Sequence, residues 1–237
     1  EGATTQKVQG VSGILPEANS DVGSALDMHN NGRVQLSELY YQHEFSADQL
    51  LSAGVLDVSG FFEQSRIASD ESTQFLGASF TGNPTIEFPD YTLGLVYEHP
   101  LETGPVLRAA IASSKGIADN SERSYSQLLS VNNESKGLFA IASSSWKSDA
   151  WLLRVGAWTN TATHDYIDGS SNRSGNYGSY LLAGYKLGKH AFNFRLGLAN
   201  PNVSLASAFT GLGYQFKQGD YVFGAGAARA FLSPNKS

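Results

Sequence analysis

Trp151-Leu152-Leu153-Arg154-Val155-Gly156-Ala157-Trp158-Thr159 is the stretch on which the fold turns. Alternate residues place Trp151, Leu153, Val155 and Ala157 on one face and Leu152, Arg154, Gly156 and Trp158 on the other. A period of two with unlike faces is the pattern of a β-strand whose two sides meet different surroundings. One side here is wholly apolar; the other mixes a cation, a glycine and a large ring.

The same unit recurs on both sides. Leu138–Lys147 precedes it across the turn Lys147-Ser148-Asp149, and Tyr177–Leu187 and Ala191–Ala199 follow, joined by Gly188-Lys189. A two-residue link of that kind between alternating segments reads as a hairpin. Ala191–Ala199 sets Phe192, Phe194, Leu196 and Leu198 against Asn193, Arg195 and Gly197. Ala206–Phe216 and Tyr221–Phe231 form another hairpin across Lys217-Gln218-Gly219-Asp220, and Tyr91–Glu98 and Val106–Ser113 extend the series toward the N-terminus.

A soluble sandwich also alternates, so length and turn asymmetry decide. These strands run well past the usual five or six residues of soluble sheets. Their connections alternate between tight (Lys147–Asp149, Gly188–Lys189, Lys217–Asp220) and long and polar (Gly116–Lys136, His164–Gly175). Short turns at one end and long loops at the other mark outer-membrane barrels. Tyr91, Tyr97, Trp151, Tyr177, Tyr185, Tyr214, Phe216 and Tyr221 fall at strand ends, where interfacial girdles sit. Composition agrees: 16 % of the 237 residues are charged, against roughly 25 % in soluble domains. No apolar run approaches the ~20 residues of a transmembrane helix, whereas barrel strands need only ~9–11. The expected fold is all-β, an antiparallel transmembrane β-barrel of the outer membrane in one domain over 1–237, with about 11–12 strands visible. A net charge of −6 and the lack of a basic run exclude nucleic acid as a partner. With no cysteine there is no disulfide, thiolate metal site or cysteine nucleophile.

The first ninety residues are less regular. Val34–Phe45 and Leu50–Ser59 read as two strands around Ser46-Ala47-Asp48-Gln49. Phe61–Phe88 is a long connection with a short helix expected at Ser69–Phe75 and a proline-bearing stretch, Asn83-Pro84-Thr85-Ile86-Glu87-Phe88-Pro89. Connections of that length inside a domain are usually functional, and residues 63–90 are expected to fold inward and constrict a channel. Asp27–Glu38 resembles an EF-hand calcium loop, with acid at position one, Gly32 at six and Glu38 at twelve. His29 occupies an oxygen-ligand position and Leu39–Phe45 reads as strand, so it is taken as a glycine turn entering a strand.

Val34–Tyr97 resembles the N-terminal half of the carbohydrate-selective porins of the OprB family. The residues that carry this are Leu36-Ser37-Glu38-Leu39-Tyr40-Tyr41-Gln42-His43-Glu44-Phe45, Gly54-Val55-Leu56-Asp57 with Phe61-Phe62, then Phe75, Asn83-Pro84, Phe88-Pro89-Asp90-Tyr91 and Leu93-Gly94-Leu95. The Gly- and Ala-rich Asp220–Ala230 is similar to a late strand of that family. The resemblance implies an outer-membrane porin through which carbohydrates diffuse passively, with no cofactor. Family members are longer and are expected to form sixteen strands; a start at Glu1 within a polar stretch points to a piece of such a barrel, a smaller relative being the alternative.

If the apolar faces meet lipid, then Arg108, Arg154, Lys186 and Arg195 point into the channel with Glu98 and Asp57, while Trp158 and Tyr180 offer ring platforms. Such groups suit weak, multipoint contacts to sugar hydroxyls and C–H faces, and a pore must release what it admits. The same arginines would equally serve as ladders with acids that stiffen the wall. No enzyme is expected: His29, His43, His99, His164 and His190 lie at strand ends or in loops without metal-ligand spacing. The partners expected are sugars or oligosaccharides and outer-membrane lipid; the oligomeric state is not written in the sequence. The rival is a soluble or surface-attached all-β module that binds carbohydrate without transporting it.

Overall fold

The computed structural model describes residues 34–45, 48–70, 74–75, 77–117, 125–129, 131 and 135–234. Ten antiparallel strands form one sheet in sequence order: β1 (Leu39–Glu44), β2 (Leu50–Leu56), β3 (Thr92–Pro100), β4 (Val106–Ser113), β5 (Leu138–Lys147), β6 (Trp151–Asp165), β7 (Arg173–Leu187), β8 (His190–Ala199), β9 (Ala206–Gln218) and β10 (Tyr221–Leu232). Each strand pairs only with its chain neighbours, the up-and-down order of a barrel wall. Among the described residues β1 and β10 are the two edges of an unclosed sheet. Among the described residues the count is ten rather than 11–12, because those of 57–91 add no strand. No described helix is long and apolar enough to cross a membrane. Of the calcium-loop resemblance at Asp27–Glu38, residues 27–33 lie outside the described residues.

Burial follows the alternation. On β6, Arg154, Trp158 and Asn160 are buried while Trp151, Val155, Ala157 and Thr159 are exposed. On β8, Asn193, Arg195 and Gly197 are buried between exposed Phe192, Phe194, Leu196 and Leu198. Leu95, Leu107, Ile111, Trp146, Tyr185 and Leu212 continue the exposed apolar surface across the wall. A water-soluble sheet would bury that surface, so its natural solvent is lipid. From Trp151 to Thr159 is eight residue steps, ~26 Å along the strand and ~20 Å in height at barrel tilts, close to the apolar band of outer-membrane barrels.

The connections sort by end. Turns at Gly188-Lys189 and Gly219-Asp220 close two-residue hairpins, with Gly188 and Gly219 at φ +57° and +60°, where a side chain would be strained. All the short links lie at this end. The other end carries 57–91, 114–137, 166–172 and 200–205.

Several expected boundaries move. β1 begins at Leu39, not Val34, because the backbone of Leu36 is engaged by the Tyr125 hydroxyl, which accepts from its N–H at 2.9 Å and donates to its C=O at 3.1 Å. β6 and β7 each run 15 residues, so both ends of the loop expected at His164–Gly175 are strand and only 166–172 connect them. This extension is polar on both faces and ends in an exposed Arg173–Asp165 pair. Residues 69, 70, 74 and 75 are not helical; one-turn helices stand instead at Ser59–Phe62 and Ala78–Thr81. The first starts where the Asp57 carboxylate accepts the Ser59 N–H at 2.8 Å and its hydroxyl at 2.9 Å. Tyr91 is not a girdle residue. It has left the strand, at φ +53°, and is buried with Ile117 and Leu128.

Candidate functional site

Residues 57–91 run along the inner face of the wall to the short-turn end and back. Arg66 donates through Nη2 to the Ser148 carbonyl at 2.6 Å and through Nη1 to that of Asp149, in the β5–β6 turn. On the return, Phe75 lies under Gly224 and Phe80 under Gly226. Near the long-loop end, Glu87 meets His164 at 2.7 Å and accepts from the Asn176 amide at 3.1 Å.

An irregular segment leaves backbone carbonyls without ladder partners, and each must be matched. Three wall arginines do this. Arg108 on β4 pairs with Glu98 on β3 and donates to the Phe61 carbonyl. Arg154 on β6 donates to the Phe62 carbonyl at 2.7 Å and to the Ser145 hydroxyl at 2.8 Å. Arg195 on β8, 1 % exposed, donates to the carbonyls of Ala68 and Phe80, to Thr81 at 2.8 Å and to Glu63 at 3.3 Å. Only arginine carries five donors in a fixed fork, so one side chain can hold both the outgoing and the returning chain.

Glu63 sits opposite Arg195, 3.6 Å from its Nε, and accepts the Asn83 N–H at 2.8 Å. Burial pushes its carboxyl up to about 7, against the pull of Arg195. Glu87 moves the other way: burial favours its neutral form, but the His164 contact and the Asn176 amide hold it below the usual carboxylate range. Asn83 precedes Pro84, which keeps it extended. Its side chain accepts from Thr85 N–H at 3.1 Å and donates to the Leu196 carbonyl at 3.0 Å. Wall and segment approach closely at Gly197, where a Cβ would overlap Thr85 and Asn83.

Trp158 and Tyr180 face inward as their positions require, and are 3 % and 5 % exposed. They form a packed cluster with Val58, Phe62 and Ile86 of the segment and Val96, Phe139 and Ile141 of the wall. The Tyr180 hydroxyl reaches the Phe62 carbonyl at 3.4 Å. Asp57 is spent on the helix start. Lys186 is exposed at the short-turn end, beside a cavity of about 480 Å³ between Ser65–Ile67 and the wall. The structure thus draws Arg108, Arg154, Arg195 and Glu98 around the segment, packs Trp158 and Tyr180 beneath it, and leaves Lys186 apart. Sequence reasoning missed Glu63, Arg66, Asn83 and Glu87. The only local signal for the first was an acid placed directly after Phe61-Phe62.

The sequence model of the carbohydrate-selective porins, OprB family, matches residues 1–237. The chain belongs to that family. Its members are channels of the Gram-negative outer membrane rather than enzymes, which places this OprB-family chain in that membrane. The high-pH structure of Pseudomonas putida OprB is similar in fold, with a TM-score of 0.64 at 12 % identity over 87 % of this chain and 56 % of that one. An uncharacterized protein of Aquifex aeolicus (strain VF5) is 33 % identical over 82 residues, 35 % of this chain and 26 % of that protein. The OprB-family chain here therefore spans little more than half of the matched porin structure and about a quarter of the Aquifex protein.

Proposed function

We propose that this chain supplies the wall and the constriction of a passive channel for carbohydrates, with residues 63–90 as the element that narrows it. The observation that carries this is the three-arginine clamp. Arg108, Arg154 and Arg195, from β4, β6 and β8, fix an irregular segment inside a wall whose outer face is apolar. A segment held at several points has a defined outline, which a size-selective opening needs. In this reading the arginines are positioning residues, and Glu98 orients Arg108. Passage requires weak contacts, and sugars find them along the remaining polar surface of the segment and at Lys186. Lipid is the partner of the outer face.

Planar-bilayer conductance of the detergent-purified protein, with a panel of sugars added, tests the proposal. Stepwise channels that particular sugars block are expected. A protein that inserts but conducts nothing would mark the segment as a plug. One that remains monodisperse without detergent would return the soluble carbohydrate-binding module to first place.

A further inference from the structure

The short-turn end has a chemical character that the clamp does not explain. The cavity of about 480 Å³ there is lined by Leu152, Lys186, Ala191, Gln215 and Lys217 from the wall and by Ser65-Arg66-Ile67 from the segment. Pairing places Lys186 opposite Ala191 and Gln215 opposite Ala191 on the next strand, in line with buried, inward Asn193. Lys217, two residues beyond Gln215, shares that inner face. Lys189 adds a further cation from the β7–β8 turn, with its ammonium on the Gln218 side chain at 3.0 Å.

None of the described residues lining the space is an acid, in a chain with 22 Asp and Glu against 16 Lys and Arg. Among the described residues the Arg66 guanidinium meets carbonyls and no carboxylate, so its charge is oriented there without an ion pair. Among the described residues, Lys186 and Lys217 are engaged only through their backbone N–H groups, by the carbonyls of Ala150 and Lys189, and no ion pair reaches either ammonium. Four cations from separate elements repel one another, and an anion between them removes that repulsion. The volume is that of a small-ligand site. Ser65 and Gln215 offer hydroxyl partners, while Leu152, Ile67 and Ala191 offer a face for C–H groups.

We infer that this cavity, between Ser65–Ile67 and the short-turn ends of β6–β9, binds anionic sugars: monosaccharides that carry a carboxylate or a phosphate. The inference rests on the channel reading and deepens it, because it gives the channel a charged substrate class and a place to concentrate it. Lys186 and Lys217 hold the anion, Arg66 sets the inner boundary, and the ring lies toward Ile67 and Leu152. Charge-assisted contacts at an open vestibule stay weak enough to release the sugar.

The test is calorimetric binding of glucuronate, glucose 6-phosphate and glucose to the detergent-purified protein, beside the Lys186→Gln/Lys217→Gln double variant. Both positions are exposed, so the variant keeps its fold. The expected result is binding of an anionic sugar about tenfold tighter than glucose, weakened by salt and reduced to the glucose level in the variant. Whichever anionic sugar binds tighter identifies carboxylate or phosphate as the preferred group. Equal affinity for all three sugars, or an anion preference that survives in the variant, overturns the inference. Since binding is read without a bilayer, loss of conductance would sink the channel and leave this result standing, and neutral-sugar block without anion preference would do the reverse.

Discussion

Strand β8 and the segment 57–91 lie against each other and satisfy their backbones by different means. Residue after residue of β8 bonds to β7 and β9. The segment has two one-turn helices and a few turn bonds, and its carbonyls at Phe61, Phe62, Ala68, Phe80 and Thr81 take donors from side chains of the wall. The wall is therefore redundant: losing one contact leaves a ladder. The segment depends on a handful of arginines, so single substitutions should separate the two.

The sharpest separation is expected from Arg195→Met. It leaves the Ala68, Phe80 and Thr81 carbonyls without their donor and Glu63 buried without a counter-charge, a loss of about 3–5 kcal/mol in holding the segment. Limited proteolysis within 63–82 should become fast while the sheet signal in circular dichroism stays. Loss of both together would mean that the wall needs its contents.

Next comes pH. The folded protein holds the Glu63 proton up to about 7, whereas the unfolded chain releases it near 4.5. This contribution is complete below 4.5 and is withdrawn as pH rises through about 7, by up to about 3 kcal/mol. Thermal unfolding in detergent across that window should show the decline, and Glu63→Gln should flatten it. An unchanged slope in the variant would assign the dependence elsewhere.

Gly197→Ala should cost about 2 kcal/mol, because the new methyl meets Asn83 and Thr85 where wall and segment pack closely. Sugar block is the readout, since a displaced segment changes the opening before it melts the sheet. The smallest effect is expected at the rim: Arg173→Ala removes an exposed pair with Asp165 and should change stability by less than about 1 kcal/mol, with conductance unaltered.

The same division governs what could be read in advance. Alternation put Arg154, Trp158, Tyr180 and Arg195 on the inner side of the wall, because lipid demands a uniformly apolar outer face. Where that demand lapses, so does the pattern: His164–Asp165 and Arg173–Gly175 have no apolar face, and these strand ends passed for a loop. Residues 63–90 were legible as a long connection, but the one-turn helices beside and within them were not. Ser59–Phe62 depends on the Asp57 side chain, and of the helix expected at Ser69–Phe75 the described residues 69, 70, 74 and 75 are not helical. The arginines were visible by type and side. Their partners were not, for they are backbone carbonyls that every residue carries.

The clamp also sets an order of events. Residues 61–81 leave the ribosome, and enter any assembly site, well before the side chains that hold them: Arg154 follows the Phe62 carbonyl by 92 residues, and Arg195 follows Ala68 by 127. Until β8 is in register, the carbonyls of Ala68, Phe80 and Thr81 lack the donor that fixes them. What is synthesised early is fastened late, by arginines on strands that follow it in the chain.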